Sequence, residues 1–343
     1  MVPCWYFVLV SNLLIGCGSV GKRHLSKLIE LGQKIWVVDP NEDARQFALS
    51  QSDLIVDAFP TIESFLKAQG TPSVNLAVIA NWGPDHFYAY ERIKVLSPHT
   101  IIIEKPLTSK LSDLNLMKTH LKESKVSVFV NFHLRFDSGY KKLLELCNAT
   151  KYGTPVLISI VGGAKCVSTN GIHWIDLSNQ LIGSRWDKIN ASISSKLINP
   201  RSIDLNFLEG FTNITYKNNS TLNINFTNDS YMDAQITIVW KKAKGVIVDG
   251  VLTIFEAESE IPLDQPVTRS VLFVKKTYET PFSVDGFNNL YAKIDETKGF
   301  VMENAIEANE LLILSLISSE TTSQLRPDKP LPQELVEFDW KIS

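Results

Sequence analysis

Along residues 1–130, short apolar runs rich in β-branched side chains alternate with stretches whose apolar positions recur three and four residues apart. The runs Asn12–Ile15, Lys34–Val38, Asp53–Val56, Asn75–Ile79, Thr100–Ile103 and Val126–Val130 predict strands. The stretches Val20–Leu31, Ala44–Gln51, Ile62–Ala68, His86–Leu96 and Leu111–Glu123 predict helices. Strand–helix alternation sustained this long implies a parallel sheet covered on both faces.

After about Phe136 the pattern changes. One more helix, Gly139–Thr150, precedes predicted strands at Val156–Val161, Ile189–Leu197, Ile203–Phe211, Thr221–Phe226, Ala234–Trp240, Gly245–Asp249, Val251–Glu256 and Arg269–Lys276. Several alternate apolar and polar residues, as Thr221 to Phe226 does, which suits an antiparallel sheet with one buried and one polar face. Turns are expected at Lys242–Lys244 and at Asp249-Gly250, and helices at Val284–Ile294 and Gly299–Ser318. The expected fold is therefore α/β. A parallel domain over 1–130 precedes an α+β domain over 131–343, with a mostly antiparallel open sheet.

Composition narrows the function classes. The 343 residues suit two domains, and 34 Lys+Arg against 37 Asp+Glu give a net charge of −3, no footprint for nucleic acid. Four scattered cysteines, Cys4, Cys17, Cys147 and Cys166, form no CxxC pair and signal no zinc site or disulfide framework. No HxxxH or HExxH arrangement occurs, so no metal is expected. Asn-x-Ser/Thr sequons at Asn148, Asn213, Asn218, Asn219, Asn225 and Asn228 carry weight only in a secreted chain. The apolar opening MVPCWYFVLV has no basic start and no small-residue cleavage site, and no window reaches the length of a membrane span. A cytoplasmic, non-membrane protein is expected.

The chemistry concentrates at strand ends. Gly16-Cys17-Gly18-Ser19-Val20-Gly21 follows an apolar strand and opens a helix. Such a loop lets backbone approach a pyrophosphate at a helix N-terminus. Asp39 ends the next strand, where a carboxylate accepts from a ribose 2′-OH and repels a 2′-phosphate, so NAD is expected over NADP. Asn81 and Trp82 follow another strand and could line the cofactor, whereas Pro84, Asp85 and His86 read as a helix start. Glu104-Lys105-Pro106-Leu107 reaches the same edge; taken alone it reads as a solvated turn, but a lysine beside a nicotinamide could move a hydroxyl proton. Arg135 is either a clamp for a carboxylate or phosphate or an interdomain ion pair. A helix starting near Thr169 or Asn170 would put Asn170, His173 and Leu177 on one face, with His173 either a proton relay or a satisfied structural histidine.

Together these motifs resemble the Gfo/Idh/MocA family of NAD(P)-dependent oxidoreductases. The glycine loop running on to His24, the Asp39 strand end, Glu104-Lys105-Pro106-Leu107 and Gly171-Ile172-His173-Trp174-Ile175-Asp176-Leu177 carry the likeness. The resemblance implies a Rossmann domain binding NAD through Gly16, Gly18, Ser19, Val20, Gly21, Asp39, Asn81, Trp82, Glu104 and Lys105. It implies hydride transfer between NAD and a secondary alcohol of a polyol or a sugar, free or nucleotide-activated. Lys105 would be the catalytic lysine and His173 would contact the reacting hydroxyl, with Arg135 and Asn170 as further substrate contacts. Thr169 departs from the aspartate many members carry four residues before the histidine. A Gly-Ile-His form without that aspartate looks more like the branch acting on nucleotide-activated hexosamines, a preference that Arg135 and Lys165 would support. Two alternatives stand beside this: a redox-neutral enzyme that retains NAD, and a non-catalytic NAD-binding sensor or scaffold. A homodimer or homotetramer is expected, formed through the outer sheet face of the second domain.

Overall fold

Six strands build the first sheet: β1 (Ser11–Ile15), β2 (Lys34–Val38), β3 (Ile55–Phe59), β4 (Val74–Ile79), β5 (Thr100–Ile103) and β6 (Ser127–Val130). The computed structural model describes residues 11–123, 125–147, 151–163, 165–198, 203–257, 273–276, 286–294 and 303–342. The sheet is parallel throughout, in the order β3-β2-β1-β4-β5-β6. β1, β5 and β6 are buried along their whole length, as runs like Thr-Ile-Ile-Ile require when both faces are covered. The connecting helices are α1 (Ser19–Glu30), α2 (Glu42–Leu49), α3 (Ile62–Gln69), α4 (His86–Ile93) and α5 (Leu111–Glu123). Strand order reverses between β1 and β4, and the carboxyl edge there is where ligands bind in open α/β sheets. β3 begins later than its apolar run suggests. Ser52 closes a turn first, its Oγ accepting from Leu54 N and its carbonyl from Ile55 N.

The second sheet holds β7 (Leu157–Gly163), β8 (Trp186–Ile198), β9 (Asn206–Tyr216), β10 (Thr221–Thr227), β11 (Gln235–Val239), β12 (Ala243–Val248), β13 (Val251–Ala257) and β14 (Phe273–Lys276). Its order is β14-β13-β12-β11-β7-β10-β9-β8, and only the β7–β10 pair is parallel. Leu222, Ile224 and Phe226 face the core while Thr221, Asn223 and Asn225 face outward, as their alternation predicts. β9 runs on to Tyr216, well past the expected end at Phe211. An Asn218-Asn219 turn, with Asn219 at φ 66°, folds it back onto β10. At the β12–β13 hairpin, Asp249 and Gly250 both take positive φ (49° and 74°), the conformation a two-residue turn of this hand needs.

The remaining helices are α6 (Ser138–Cys147), α7 (Ile172–Ile182), α8 (Gly286–Ile294), α9 (Glu303–Glu320) and α10 (Gln333–Val336). α9 is buried on nearly every side, and its serines bond to the sheet instead of to water. Ser315 Oγ meets Thr212 Oγ1 at 2.8 Å and Ser319 Oγ accepts from Ile193 N at 2.7 Å. The chain divides into two compact units, Met1–Asn131 with Leu290–Glu303, and Phe132–Asn289 with Asn304–Ser343. Among the described residues no helix is long and apolar enough to cross a membrane.

Candidate active site

In the first unit the ladder of the sheet extends one residue beyond each central strand. Gly16 N donates to Val38 O, Asp39 N to Phe59 O, Ala80 N to Ile15 O, Glu104 N to Ile79 O and Asn131 N to Ile103 O, all at 2.7–3.0 Å. The residues flagged by sequence at strand ends are thus locked in register along one carboxyl edge. Gly16 takes φ +90°, and a Cβ there would lie 2.4 Å from Asn81 N. A Cβ on Gly21 would lie 2.0 Å from Gly16 O, so loop and helix meet only because both are glycine. Gly18 faces open space instead. α1 begins there with no side-chain cap and no acid in its first turn, leaving its leading N–H groups, including those of Ser19 and Val20, to an anion.

Asp39 is buried. Its Oδ2 accepts from Cys17 N at 2.6 Å and its Oδ1 from Asn41 N at 2.8 Å, which ties the β2 end to the glycine loop. Burial, then the Asp39 charge, pushes the Cys17 thiol up to about 11, so it stays protonated. Arg45 donates to the Asp39 and Pro40 carbonyls at 2.8 and 3.0 Å and pairs with Glu42. No sequence motif had marked this cation beside Asp39.

The Lys105 loop is the most densely wired part of the edge. Glu104 is buried; its Oε1 receives His24 Nε2 at 2.9 Å and the Asn131 amide. Burial alone would raise this carboxyl. The hydrogen bond and charge of His24, then Lys105 and Asn131, outweigh it and hold the group down at about 2. On its other side His24 meets the Tyr291 hydroxyl, with Nδ1 at 2.6 Å. The Lys105–Pro106 peptide is cis, and Lys105 is half-buried. His86, read as part of a helix start, pins this loop to the neighbouring one: Nδ1 lies 2.7 Å from Pro106 O and Nε2 3.1 Å from Asn81 O. Burial shifts His86 toward its neutral form. The side-chain Oδ1 of Asn81 is buried without a hydrogen-bond partner, and Trp82 is exposed.

The second unit carries the other predicted residues. His173 sits in the first turn of α7, buried, with its ring edge-on to His133 (4.6 Å between centroids) and to Phe132 (5.6 Å). The helix does not start at Thr169 or Asn170. Those residues lie in a wide π turn, Val167–Gly171, because Asn170 Oδ1 accepts from Cys166 N at 3.1 Å while Cys166 O takes Asn170 N and Gly171 N. The expected shared helical face of Asn170, His173 and Leu177 is corrected accordingly, and the Asn170 carbonyl oxygen is occupied locally. Arg135 grips Asp176 with two nitrogens, Nε at 2.6 Å from Oδ2 and Nη2 on Oδ1, so its ion pair lies within the second unit. Lys165 pairs with Asp233 at 2.9 Å.

Sequence inspection missed His24, Asn131, His86, Arg45 and Tyr291 as working parts of the edge. The first four lie within a few residues of the motifs, and a polar side chain on an otherwise apolar helix face was the available signal for His24. Tyr291 offered none.

Comparison with known proteins agrees with this geometry. Residues 10–132 match the GFO_IDH_MocA model, described as an oxidoreductase family with an NAD-binding Rossmann fold. The chain is 25% identical over 207 residues to inositol 2-dehydrogenase 3 of Saccharopolyspora erythraea, covering 57% of this chain and 58% of that one. It spans about half the length of the curated relatives it matches. Its fold is similar to myo-inositol dehydrogenase from Lactobacillus casei in complex with NAD(H) and myo-inositol (TM-score 0.66, 17% identity, 96% of this chain and 100% of that). It is also similar to a super-repressor mutant of Gal80p from Saccharomyces cerevisiae (TM-score 0.71, 16% identity, 96% and 100%).

Proposed function

We propose, from the premise that the first domain of this chain belongs to the Gfo/Idh/MocA oxidoreductase family, that the protein is a NAD-dependent dehydrogenase. It would act on a secondary alcohol of a sugar or polyol. The observation that carries this reading is the gathering of the glycine loop, Asp39 and the Lys105 loop on one sheet edge of a single unit. The residues suit a dinucleotide. Open space at Gly18, uncapped N–H groups of α1 and the orphaned Asn81 Oδ1 would receive it, with Asp39 toward the ribose.

When bound, NAD supplies the hydride acceptor. Lys105 takes the proton from the substrate hydroxyl as the alcohol is oxidised and returns it in reduction. Glu104, fixed as an anion one residue earlier, sets the charge beside that amine. The resemblance assigns His173 a hydrogen bond to the reacting hydroxyl, with Asn170 and Arg135 as further contacts.

NAD is favoured over NADP because the buried Asp39 carboxylate would meet a 2′-phosphate there and the nearby Arg45 is already neutralised by Glu42. An uncharged polyol or sugar is favoured over a nucleotide-activated one. The cations that would have held a diphosphate, Arg135 and Lys165, are matched by Asp176 and Asp233. Self-association through the outward face of the second sheet and a cytoplasmic location complete the reading. That face exposes Val161, Phe211, Val248 and Val251.

The test is NADH absorbance across free inositols, hexoses and nucleotide sugars, run with NAD and NADP, on wild type and Lys105→Met. Turnover with NAD that falls about 10²–10⁴-fold in the variant supports the reading, and a variant of near-normal kcat overturns it. Light scattering on the same sample reads the assembly, where a single-chain mass would remove the self-association. A second reading, a non-catalytic NAD-binding regulator, draws on Thr169 in place of the family aspartate and on the fold likeness to Gal80p. Calorimetric NAD binding without turnover on any substrate would favour it.

A further inference from the structure

The carboxylate at Glu104 is the first link of a buried polar chain that ends far away in sequence. Its members are Asn131, Glu104, His24 and Tyr291, all in the first unit and all under 8% exposed. Tyr291 stands 267 residues from His24 and reaches the unit only because the chain returns to it at Leu290.

Two protons on this chain can be placed from their neighbours. Glu104 is ionised and accepts only, so the His24 Nε2 facing it must carry a proton. Tyr291 keeps its phenolic proton, because burial and then the Glu104 charge push its pKa far up. His24 Nε2 therefore donates to Oε1, the Asn131 amide donates to the same oxygen, and the Tyr291 hydroxyl holds the far ring nitrogen, Nδ1, at 2.6 Å. Two donors converge on the carboxylate and the phenol bonds the ring that supplies one of them, an arrangement in which each bond polarises the next.

Without the phenol the imidazole loses its 2.6 Å bond at Nδ1. The ring could then turn and carry Nε2 off the carboxylate, which it meets at 2.9 Å. The carboxylate would then turn away, and it stands one residue before Lys105.

We propose that Tyr291 is a positioning residue for the Lys105 loop: its hydroxyl anchors the His24 ring at Nδ1, keeps Nε2 on the Glu104 carboxylate and thereby fixes that carboxylate. This rests on the dehydrogenase reading for its effect on turnover, though not for its effect on His24. The competing role is packing alone, since the Tyr291 and His24 rings lie 5.8 Å apart.

Three variants of the full chain separate the two: Tyr291→Phe, His24→Gln and the double. Tyr291→Phe keeps the ring and should lose about tenfold in kcat, the size of one well-placed hydrogen bond, with KM for NAD within about twofold. In ¹⁵N-histidine spectra both ring nitrogens of His24 should shift, Nδ1 most, as its bond to the phenol is lost. His24→Gln keeps a donor for Glu104 but removes the Nδ1 partner of the phenol, so adding Tyr291→Phe to it should change nothing further. Additive losses, or an unchanged His24 spectrum in Tyr291→Phe, would assign Tyr291 to packing and overturn the proposal. Should wild type turn over no sugar or polyol, the dehydrogenase reading fails while the spectra still decide the role of Tyr291.

Discussion

Glu104 in the first unit and Asp176 in the second are both buried carboxylates held by a nitrogen base, yet they depart from the ordinary carboxylate range in opposite directions. Burial is the largest influence on each. At Glu104 the His24 bond and charge, Lys105 and Asn131 overcome it and the pKa falls to about 2. At Asp176 the Arg135 charge and fork, with Gln180, do not, and the pKa is raised. A close ion pair therefore does not by itself guarantee a comfortable anion. What decides is how many donors and charges converge against the cost of leaving water. The first arrangement keeps a permanent charge beside Lys105. The second ties the turn His133–Phe136 to α7, the helix that carries His173, at a net electrostatic cost.

Removing Arg135 should break the weaker arrangement first. Arg135→Leu would leave Asp176 buried and unpaired and should cost about 3–5 kcal/mol in urea unfolding at pH 7. Because the folded-state pKa of Asp176 is raised, that cost should grow as pH rises through it and shrink toward pH 4. Equal losses at pH 7 and pH 4 would contradict the assignment. The double variant Arg135→Leu/Asp176→Leu should recover most of the stability, since no charge remains to be paired.

Glu104 should show the opposite pH signature. Its folded-state pKa is depressed from 4.5 to about 2, so its contribution is present above pH 4.5 and is lost as pH falls toward 2. The contribution is ~3 kcal/mol by linkage. Unfolding midpoints of wild type should drop across that window, and those of Glu104→Gln should be flatter there. Parallel curves would mean that the carboxylate is not held as an anion.

Asp39 offers a third carboxylate, bonded by the backbone N–H groups of Cys17 and Asn41. Asp39→Asn keeps an acceptor and removes the charge, so the Kd for NADP divided by the Kd for NAD should fall by about tenfold or less. An unchanged ratio would pass cofactor choice to Arg45.

How far the sequence speaks follows from the range of the interactions. The first sheet, the glycine loop and the Lys105 loop are legible because each is a local event: an apolar run, then a turn fixed by glycine or proline. The wide turn before His173 is not, since it depends on Asn170 folding back on Cys166 instead of opening a helix. Arg135 reads as a ligand clamp or an interdomain pair until Asp176, 41 residues on, is placed against it. The extension of β9 was within reach, as Asn218-Asn219 is a turn signal by composition. Tyr291 was beyond reach, because nothing near it indicates that its partner sits on α1.

The return of the chain at Leu290 also imposes an order on biosynthesis. Asn131 leaves the ribosome 160 residues ahead of Tyr291, a delay of about 8–32 s at ordinary elongation rates. Throughout that interval the nascent first domain has its glycine loop, Asp39 and Glu104 but no phenol for His24. The hydrogen-bonded support of the charge beside Lys105 is completed only once Tyr291 has been made.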